Sequence, residues 1–494
     1  MIKYLLTITV VTLLAAACTQ DYVDKPAPTD AVDTITPFQS VSGAEAVITG
    51  IYSYMRDATG GSGTGHNRYG IKSHHLAFEA MSNYYILPST WFIYEYQWDY
   101  RQANWTRTRS FWGLNYRVIA NVNTLIEGVQ TSGALGDSEK NALIAEARAI
   151  RALCYFNLAR IYQYTYTKDP SAAGVPLQLE VATGGDVKGK ARAPLSEVFT
   201  AIVDDLTFAT NALTSSRNDK YRINREVAQG IFARVLLEMG TWQQAHDMAA
   251  AARGAYPLMS GADYTAGFSD ISNDEWIWGL PVNTEQSNIY ASFFSHTDHS
   301  RDGYHGFYNT PTFVAEFSAS DVRNQFTGAG VDVNGDGSQE YASSKFVAQE
   351  DNFTGDLLMM RAAEMVLIEA EALAEMGSLT PAKERLFELQ SQRDPSATMS
   401  MAATKAELID EILLERQKEL YGELGIGFFD LKRRQLPLVR NSDHYVTGSV
   451  LGSYVTNNSP LEIVIPPDVI DWNFKIPQVE IDANEYISEA DQNP

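Results

Sequence analysis

Aromatic and polar side chains alternate over residues 84–116, where four of the chain's eight tryptophans occur, at positions 91, 98, 105 and 112. An aromatic plane accepts the apolar C–H face of a sugar ring, and nearby amides, carboxylates and guanidinium groups pair with its hydroxyls. These residue types in this arrangement predict a carbohydrate-binding surface. The alternative is that the rings pack a large loop onto the rest of the protein. The twelve aromatic residues are Tyr84, Tyr85, Trp91, Phe92, Tyr94, Tyr96, Trp98, Tyr100, Trp105, Phe111, Trp112 and Tyr116.

Two of the tryptophans are the better candidates for contact with a ligand. Trp112 falls within a helical pattern of apolar residues, which predicts a structural role. Pro88 and the β-branched and aromatic residues that follow it favour irregular chain. We therefore expect Trp91 and Trp98 to bind ligand from a loop. The other residues predicted to line this site are Tyr94, Tyr96 and Asn83.

A second aromatic stretch lies at residues 290–308 and includes two tyrosines near its ends, Tyr290 and Tyr308. It also contains His296, Asp298 and His299, which are residue types that bind metals, as are His74 and His75. Neither group has a further set of ligands at a suitable spacing, and a loop histidine is more often a hydrogen-bonding residue. We predict no metal site.

The segment from Asp332 to Glu340 resembles the start of a calcium-binding loop, because oxygen-bearing side chains occupy alternate positions. Position 12 of that loop is Ser343, where a bidentate glutamate is needed. The Asn-Gly and Asp-Gly pairs are also strong signals for hairpin turns. We predict a turn and no cofactor, with a structural calcium ion as the alternative.

Sequence motifs for catalysis are missing. There is no glycine-rich phosphate loop, no Gly-x-Ser-x-Gly and no His-Glu-x-x-His. A glycoside hydrolase needs two carboxylates at a defined separation. With 61 acidic residues such pairs can always be proposed, so their presence has no specificity. We predict that the protein is not an enzyme and keep a glycoside hydrolase as the alternative.

The elements that position these stretches are predicted to be mostly helices. Apolar residues recur at helical spacing in nine segments, and strand patterns are few and short. Residues 60–110, 255–356 and 434–494 form long insertions between them. The predicted helices are Ala44–Arg56, Phe111–Val129, Ser138–Tyr162, Leu195–Leu213, Asn224–Met239, Trp242–Gly254, Leu357–Met376, Pro381–Arg393 and Lys405–Tyr421. The predicted strands are Trp276–Leu280, Phe346–Val347 and Ile463–Ile465.

Two segments have the pattern of a helical hairpin. The pattern of residues 228–257 predicts two helices joined at Gly240, with alanines where the helices must approach closely. Residues 361–392 repeat the pattern with Gly377 at the joint. Both resemble tetratricopeptide units, whose period is near 34 residues, although an ordinary antiparallel helix pair is the alternative. The predicted fold class is therefore mainly α, a tetratricopeptide-like scaffold with long irregular insertions and few strands.

The first seventeen residues have the features of a secretory signal: Lys3, an apolar run to Leu14 and three alanines. Cys18 follows directly, which resembles a bacterial lipobox, although Ala15 stands where leucine is usual. We predict a lipid anchor at Cys18 and a lipidated tether over residues 18–40. An ordinary cleaved signal is the alternative.

Composition restricts the function further. The 494 residues carry a net charge of −23. A chain this acidic does not create the positive electrostatic potential that nucleic-acid binding requires. A hydrophobic content of 45% excludes a disordered chain. We expect no nucleic-acid partner.

Five motifs occur in a fixed order along the chain. They are the helix from Trp112 to Asn123; EARAIRALCYF at 146–156 with GVPL at 174–177; RAAEMVLIEAEA at 361–372; ERQKELY at 415–421 with FFDLKR at 428–433; and IPQVEIDAN at 476–484 with Asn493-Pro494. Together they resemble the SusD/RagB family of Bacteroidetes outer-membrane nutrient-binding lipoproteins. The family's usual tryptophan is Phe428 here. Most of these residues suit structural roles: Arg148, Arg151, Glu369 and Glu371 as ion pairs, and Cys154 as a buried side chain.

The resemblance implies one SusD-like domain over residues 41–494, with ligand-binding insertions at about 60–110 and 255–356. It implies a surface lipoprotein of the bacterial outer membrane that captures an oligosaccharide and delivers it to a SusC-like TonB-dependent transporter. In this family the glycan site draws on the region ahead of Trp112 and is completed by the second insertion, which makes Tyr290 and Tyr308 candidate ligand residues. Peptide capture, as by a RagB-like member, and a structural helical-repeat adaptor are the alternatives.

Overall fold

The computed structural model describes residues 36–57, 65–87, 91–99, 101–182, 188–331, 340–446, 459–460, 462–467 and 469–493. The predicted lipid anchor Cys18 and the first eight residues of the candidate calcium loop, 332–339, lie outside these ranges. A 3₁₀ turn at Thr36–Gln39 opens the described chain. Phe38 in this turn is buried, and its ring lies against Gly128. The last residues of the predicted tether are therefore packed onto the fold.

The fold is mainly α, as predicted. Most of the predicted helices are present with ends shifted by a few residues. The helices are α1 Val41–Asp57, α2 Ile71–Ala80, α3 Ile93–Tyr96, α4 Thr106–Thr131, α5 Asp137–Tyr162, α6 Leu195–Ala212, α7 Arg225–Glu238, α8 Trp242–Arg253, α9 Gly261–Tyr264, α10 Phe293–Thr297, α11 Pro311–Val314, α12 Ala362–Glu375, α13 Leu379–Arg393, α14 Lys405–Leu420, α15 Ile426–Arg433 and α16 Gln478–Ala483.

The strands are short, and one pair of them joins the two insertions. The strands are β1 Tyr85–Ile86, β2 Ala173–Pro176, β3 Arg192–Pro194, β4 Trp276–Leu280, β5 Tyr308–Asn309, β6 Phe326–Val331, β7 Glu340–Ser343, β8 Leu357–Arg361, β9 Leu438–Arg440, β10 Tyr445–Val446, β11 Ser459–Pro460 and β12 Ile463–Ile465. β1, β5, β7 and β6 form one four-stranded sheet in that order, and the others pair in twos: β2 with β3, β4 with β8, β9 with β12 and β10 with β11. Tyr85 pairs with Asn309 and Ile86 with Tyr308, so the first insertion is hydrogen-bonded to the second.

Both predicted helical hairpins are present. Gly240 separates α7 from α8 and has a φ of 70°, and Gly377 separates α12 from α13 with a φ of 79°. Such left-handed conformations end helices and favour glycine. α8 packs against α12, and an ion pair between Arg253 and Glu369 joins the two hairpins. The sequence therefore predicted the core of the scaffold correctly.

Ion pairs join neighbouring helices where the sequence predicted them. Arg148 and Arg151 on α5 each lie 2.8 Å from a carboxylate oxygen of Asp205 on α6. Glu371 on α12 lies 2.5 Å from Arg433 on α15. Cys154 is buried, and its burial raises the pKa of the thiol far above the usual value. The structural roles predicted for these residues are confirmed.

Two sequence predictions of secondary structure were wrong, and one long helix was missed. Residues Leu357–Arg361 form β8 and not the first part of a helix, because they pair with β4. Phe346 and Val347 are outside the described strands. Helix α2 was missed because half of its ten residues are polar although nine of the ten are buried, so its polar residues do not mark a solvent-exposed face of an amphipathic helix.

A buried network of charges holds the centre of the scaffold. The Glu419 carboxylate lies 2.6 Å from Arg361, 2.9 Å from Arg393 and 3.0 Å from Arg323. Each of these side chains is at most 1% exposed. The network also includes Glu275, Asp321, Lys345, Glu415 and Glu423. It joins α13 and α14 to β8 and to the second insertion.

Candidate functional site

Four rings from both insertions form one partly exposed aromatic surface. His66 and Trp91 of the first insertion are stacked with their ring centroids 5.0 Å apart and an interplanar angle of 8°. Tyr304 of the second insertion lies 5.5 Å from Trp91 and 5.4 Å from His66. Tyr290 lies 5.5 Å from Tyr304 and is 45% exposed. We call His66, Trp91, Tyr290 and Tyr304 the aromatic surface.

Hydrogen bonds from buried residues hold His66 in place. His296 Nε2 lies 2.8 Å from the carbonyl oxygen of His66, and Arg107 donates to the carbonyl oxygen of Asn67 at 2.7 Å. The Tyr304 hydroxyl and His66 Nδ1 form a further hydrogen bond. Arg107 is itself paired with Glu95 in the protein interior. The loop that carries His66 is therefore fixed by groups from both insertions and from α4.

Burial favours the neutral form of two titratable groups at this surface. It lowers the pKa of His296, which lies beneath the rings, to about 4, with the hydrogen bond to His66 opposing this in part. Burial also raises the pKa of the Tyr304 phenol above its usual value, although a hydrogen bond with Trp91 opposes the shift. Neutral aromatic groups suit an uncharged ligand with apolar C–H faces.

A small cleft adjoins the aromatic surface. Phe353 lines this cleft, and its ring centroid lies 6.0 Å from that of Tyr290. Tyr69 lines it from the first insertion and stacks on His296 at 6.0 Å. Four polar side chains also line it and provide hydrogen-bonding groups of the kind that pair with hydroxyls. They are Arg56, Gln286, Asn288 and Ser292.

Two of the residues predicted from the sequence meet in this site, Trp91 and Tyr290. Tyr94 lies elsewhere on the first insertion, where it stacks on Trp105 at 5.9 Å, and Trp105 is 38% exposed. Asn83 is half-buried, and its carbonyl oxygen lies 2.8 Å from His444 Nε2.

The other three predicted residues lie inside the protein. Trp98 is 3% exposed, Tyr96 is fully buried and Tyr308 is 6% exposed. Tyr96 is covered by the guanidinium group of Arg440, 4.1 Å from the ring centroid. Tyr308 lies in β5 with its ring 4.5 Å from that of His299. Because no face of these rings is open to solvent, we do not include them in the proposed site.

His66 and Tyr304 are parts of the site that the sequence did not identify. Tyr304 belongs to the second aromatic stretch, and the high aromatic content of that stretch already indicated that its tyrosines could contact a ligand. His66 follows a glycine-rich segment, Gly60-Gly-Ser-Gly-Thr-Gly65, and no local pattern distinguishes it from a loop histidine. Only the folding of the first insertion brings it to Trp91.

The described part of the chain offers neither a metal cluster nor a membrane span. Within the described residues, no group of three or more histidines, cysteines, aspartates or glutamates is placed to hold a metal ion. Among the described helices, none has the length and apolar character needed to cross a bilayer.

The sequence matches two family models that together cover most of the chain. Residues 32–237 match a SusD-like model described as starch-binding associating with outer membrane, and residues 285–494 match the SusD family model. The helical-hairpin fold and the aromatic insertions agree with this class. The chain belongs to the SusD/RagB family.

Solved structures with the same fold support this assignment. A SusD-like carbohydrate binding protein from Bacteroides vulgatus is 27% identical, with a TM-score of 0.80 over 92% of this chain and 98% of that one. A SusD superfamily protein from Bacteroides thetaiotaomicron is 22% identical, with a TM-score of 0.76 over 92% of this chain and 100% of that one. The second likeness concerns the fold alone.

Curated relatives match over shorter segments. A SusD-like protein from Bacteroides ovatus is 31% identical over 138 residues, which is 26% of this chain and 22% of the relative. SusD-like protein P25 from Formosa agariphila is 25% identical over 173 residues, 34% of this chain and 31% of the relative. The matched part therefore spans between a fifth and a third of the length of these relatives.

Proposed function

We propose that this protein is a non-enzymatic lipoprotein of the cell surface that binds an oligosaccharide and delivers it to a SusC-like TonB-dependent transporter. The observation that carries the glycan assignment is the aromatic surface, where rings from two separate insertions meet and remain partly exposed. The solved relative from Bacteroides vulgatus, named a carbohydrate binding protein, supports the same class of ligand.

The chemistry of the site favours a neutral glycan over a peptide. Stacked rings bind the C–H faces of successive sugars, and the cleft beside them supplies amide, hydroxyl and guanidinium groups for sugar hydroxyls. Capture of a peptide is commonly based on a sheet edge, a groove for a helix or charged pockets. The aromatic surface consists of four ring-bearing side chains and has none of these features.

The cellular placement is supported by the lipobox-like sequence at Cys18 and by the family description, which names association with the outer membrane. A lipid anchor at Cys18 holds the binding domain at the membrane without a spanning helix. Labelling with palmitate and a Cys18→Ala variant tests the anchor. Purification of the tagged protein from its native membranes tests the partner, because a large TonB-dependent barrel is expected to co-purify.

The binding site is tested by calorimetric titration of the purified protein with a panel of glycans and, in parallel, peptides. We expect binding to at least one glycan and to no peptide. Trp91→Ala and Tyr304→Ala should each weaken that binding about tenfold, which corresponds to about 1.4 kcal/mol. Tyr486→Ala is the matched control because Tyr486 is an exposed aromatic residue, 57% exposed, outside the site.

Two results would contradict the proposal. Binding to peptides alone would replace the glycan with a peptide ligand. Glycan affinity that survives Trp91→Ala and Tyr304→Ala together would place the glycan elsewhere on the protein.

A further inference from the structure

The cleft beside the aromatic surface combines buried apolar side chains with partly exposed polar ones. Phe293, Phe294, Phe353 and Leu357 line it and are each at most 7% exposed. Its volume is about 30 Å³. That is more space than one water molecule needs, and it is far too small for a sugar ring. The cleft can therefore take a substituent of a sugar, of a few heavy atoms.

A sugar bound on the aromatic surface lies close to this cleft. Phe353 lines the cleft, and its ring centroid lies 6.0 Å from that of Tyr290. Ala291 and Ser292, the two residues that follow Tyr290, line it as well. A sugar ring stacked on Tyr290 can therefore direct one of its substituents into the cleft.

Among the lining residues whose side chains are buried, Tyr69 is the single polar one. It is 5% exposed, and its hydroxyl group forms no hydrogen bond with the described part of the chain. Burial raises the pKa of this phenol well above its usual value, so the group keeps its proton and can donate a hydrogen bond. A buried polar group without a partner is energetically costly. A ligand group that accepts from Tyr69 removes this cost.

The cleft offers no free positive charge. Arg56 is its single charged lining residue, and its guanidinium group is paired with the carboxylate of Asp57 at 2.7 Å. The Ser292 hydroxyl is also engaged, because it donates to the carbonyl oxygen of Ile289 at 2.7 Å. An acidic substituent would meet no unpaired cation here, so the cleft favours an uncharged group.

An acetyl group matches this lining better than the other common substituents of sugars. A hydroxyl group has one donor and two acceptor sites, and among the buried lining side chains it would meet Tyr69 alone. The methyl group of a 6-deoxy sugar would leave the Tyr69 hydroxyl unpaired. An acetyl group has a methyl for the apolar wall and a carbonyl oxygen that accepts from one donor.

We propose that this cleft binds the acetyl group of an acetylated glycan, with the methyl against the phenylalanines and the carbonyl oxygen accepting a hydrogen bond from the Tyr69 hydroxyl. The inference rests on the function proposed above and names the class of glycan. The acetyl group is carried either on nitrogen, as in an N-acetylated sugar, or on oxygen, as in an ester. Both forms present the same methyl and carbonyl groups to the cleft.

Calorimetric titration with pairs of glycans that differ only in acetyl groups tests the preference. The pairs are N-acetylated chitotetraose with cellotetraose, N-acetylgalactosamine with galactose, and O-acetylated xylotetraose with xylotetraose. In at least one pair the acetylated member should bind about tenfold more tightly, because a buried methyl and a hydrogen bond both contribute. A preference in the first two pairs assigns the acetyl group to nitrogen, and one confined to the third assigns it to oxygen.

Tyr69→Phe tests the position of the acetyl group. This change keeps the ring and removes the hydroxyl, so it should reduce the preference for the acetylated member about fivefold. The affinity for the unacetylated member should stay the same. Tyr264→Phe is the matched control: Tyr264 also has a buried hydroxyl without a partner in the described chain, and it does not line the cleft.

The possible failures are distinguishable. Glycan binding with equal affinity for both members of every pair would overturn this inference and leave the proposed function standing. An acetyl preference that survives Tyr69→Phe would place the acetyl group elsewhere and would also overturn the inference. Binding to no glycan at all would overturn the proposed function, and the inference with it.

Discussion

Trp91 and Trp98 lie seven residues apart and have opposite environments. Trp91 is half-buried and stacks on His66. Trp98 has a positive φ of 64° and lies in the core, with its ring 5.0 Å from Trp472 and 5.7 Å from Phe428. The first therefore belongs to the proposed binding surface, and the second contributes packing.

Truncating these two tryptophans should affect different properties. Trp98→Ala removes a fully enclosed ring, and we expect a loss of about 3–5 kcal/mol in the free energy of unfolding. Trp91→Ala should cost clearly less stability, since part of its ring is already in water. Denaturant unfolding of both variants at neutral pH measures this. Equal losses would show that Trp91 is also a core residue.

At the scale of single residues, the sequence predicted two of the four rings of the aromatic surface, Trp91 and Tyr290, and missed His66 and Tyr304. Trp91 and Trp98 share the same local composition, so neighbouring residues contain no information on which ring is covered. The difference comes from Trp472 and Phe428, which are hundreds of positions away in the chain. Pairing of β1 with β5 likewise places Tyr308 in a buried strand, whereas Tyr290 lies beside Tyr304 on the aromatic surface.

At the scale of elements, the helices of the scaffold were predictable because apolar residues recur along them at helical spacing. Both hairpin joints, Gly240 and Gly377, were also visible as glycines between such patterns. Two elements of the described chain, α2 and β8, were not predictable in this way. Half of the residues of α2 are polar, and yet nearly the whole helix is buried. Strand β8 continues directly into α12, so its apolar residues resemble the start of that helix.

Gly377, the joint between α12 and α13, allows the cost of a left-handed backbone conformation to be measured directly. Gly377 has a φ of 79°, and a Cβ there would meet no atom within 4 Å. Gly377→Ala should therefore lower the stability by about 1 kcal/mol, through the cost of a left-handed conformation alone. Gly50 on α1 is helical, and a methyl group added there would also meet open space. Gly50→Ala should raise the stability by about 0.5–1 kcal/mol. The two variants should shift the midpoint of denaturant unfolding in opposite directions.

At the scale of the whole molecule, the buried charges around Glu419 connect the scaffold to the second insertion. Their energetic role follows from burial: removing one partner leaves the others charged and uncompensated, which costs about 3–5 kcal/mol. We therefore expect Glu419→Gln to lose that much stability at pH 7. The exposed pair of Lys188 and Glu485 lies at a similar distance, 3.0 Å, with both side chains more than half exposed. Glu485→Gln, the matched control, should cost less than about 1 kcal/mol.

The same network predicts how stability changes in acid. Burial favours the neutral form of Glu419, but the guanidinium groups of Arg393 and Arg361 outweigh this and hold its pKa well below the usual value. The pKa of Glu423 is lowered too, because Arg361 and Lys345 outweigh its burial. A carboxylate whose pKa is lower in the folded state contributes stability above its unfolded pKa of about 4.5 and loses it as the pH falls through the folded value.

Denaturant unfolding between pH 7 and pH 3 measures this effect. The unaltered protein should lose stability progressively below about pH 4.5. Glu419→Gln, already less stable at pH 7, should show a smaller further loss over the same range, because one of the titrating groups is gone. Glu485→Gln should follow the unaltered protein. Parallel acid profiles for Glu419→Gln and the unaltered protein would mean that other carboxylates control acid unfolding, and that the network around Glu419 contributes to stability without responding to pH in this range.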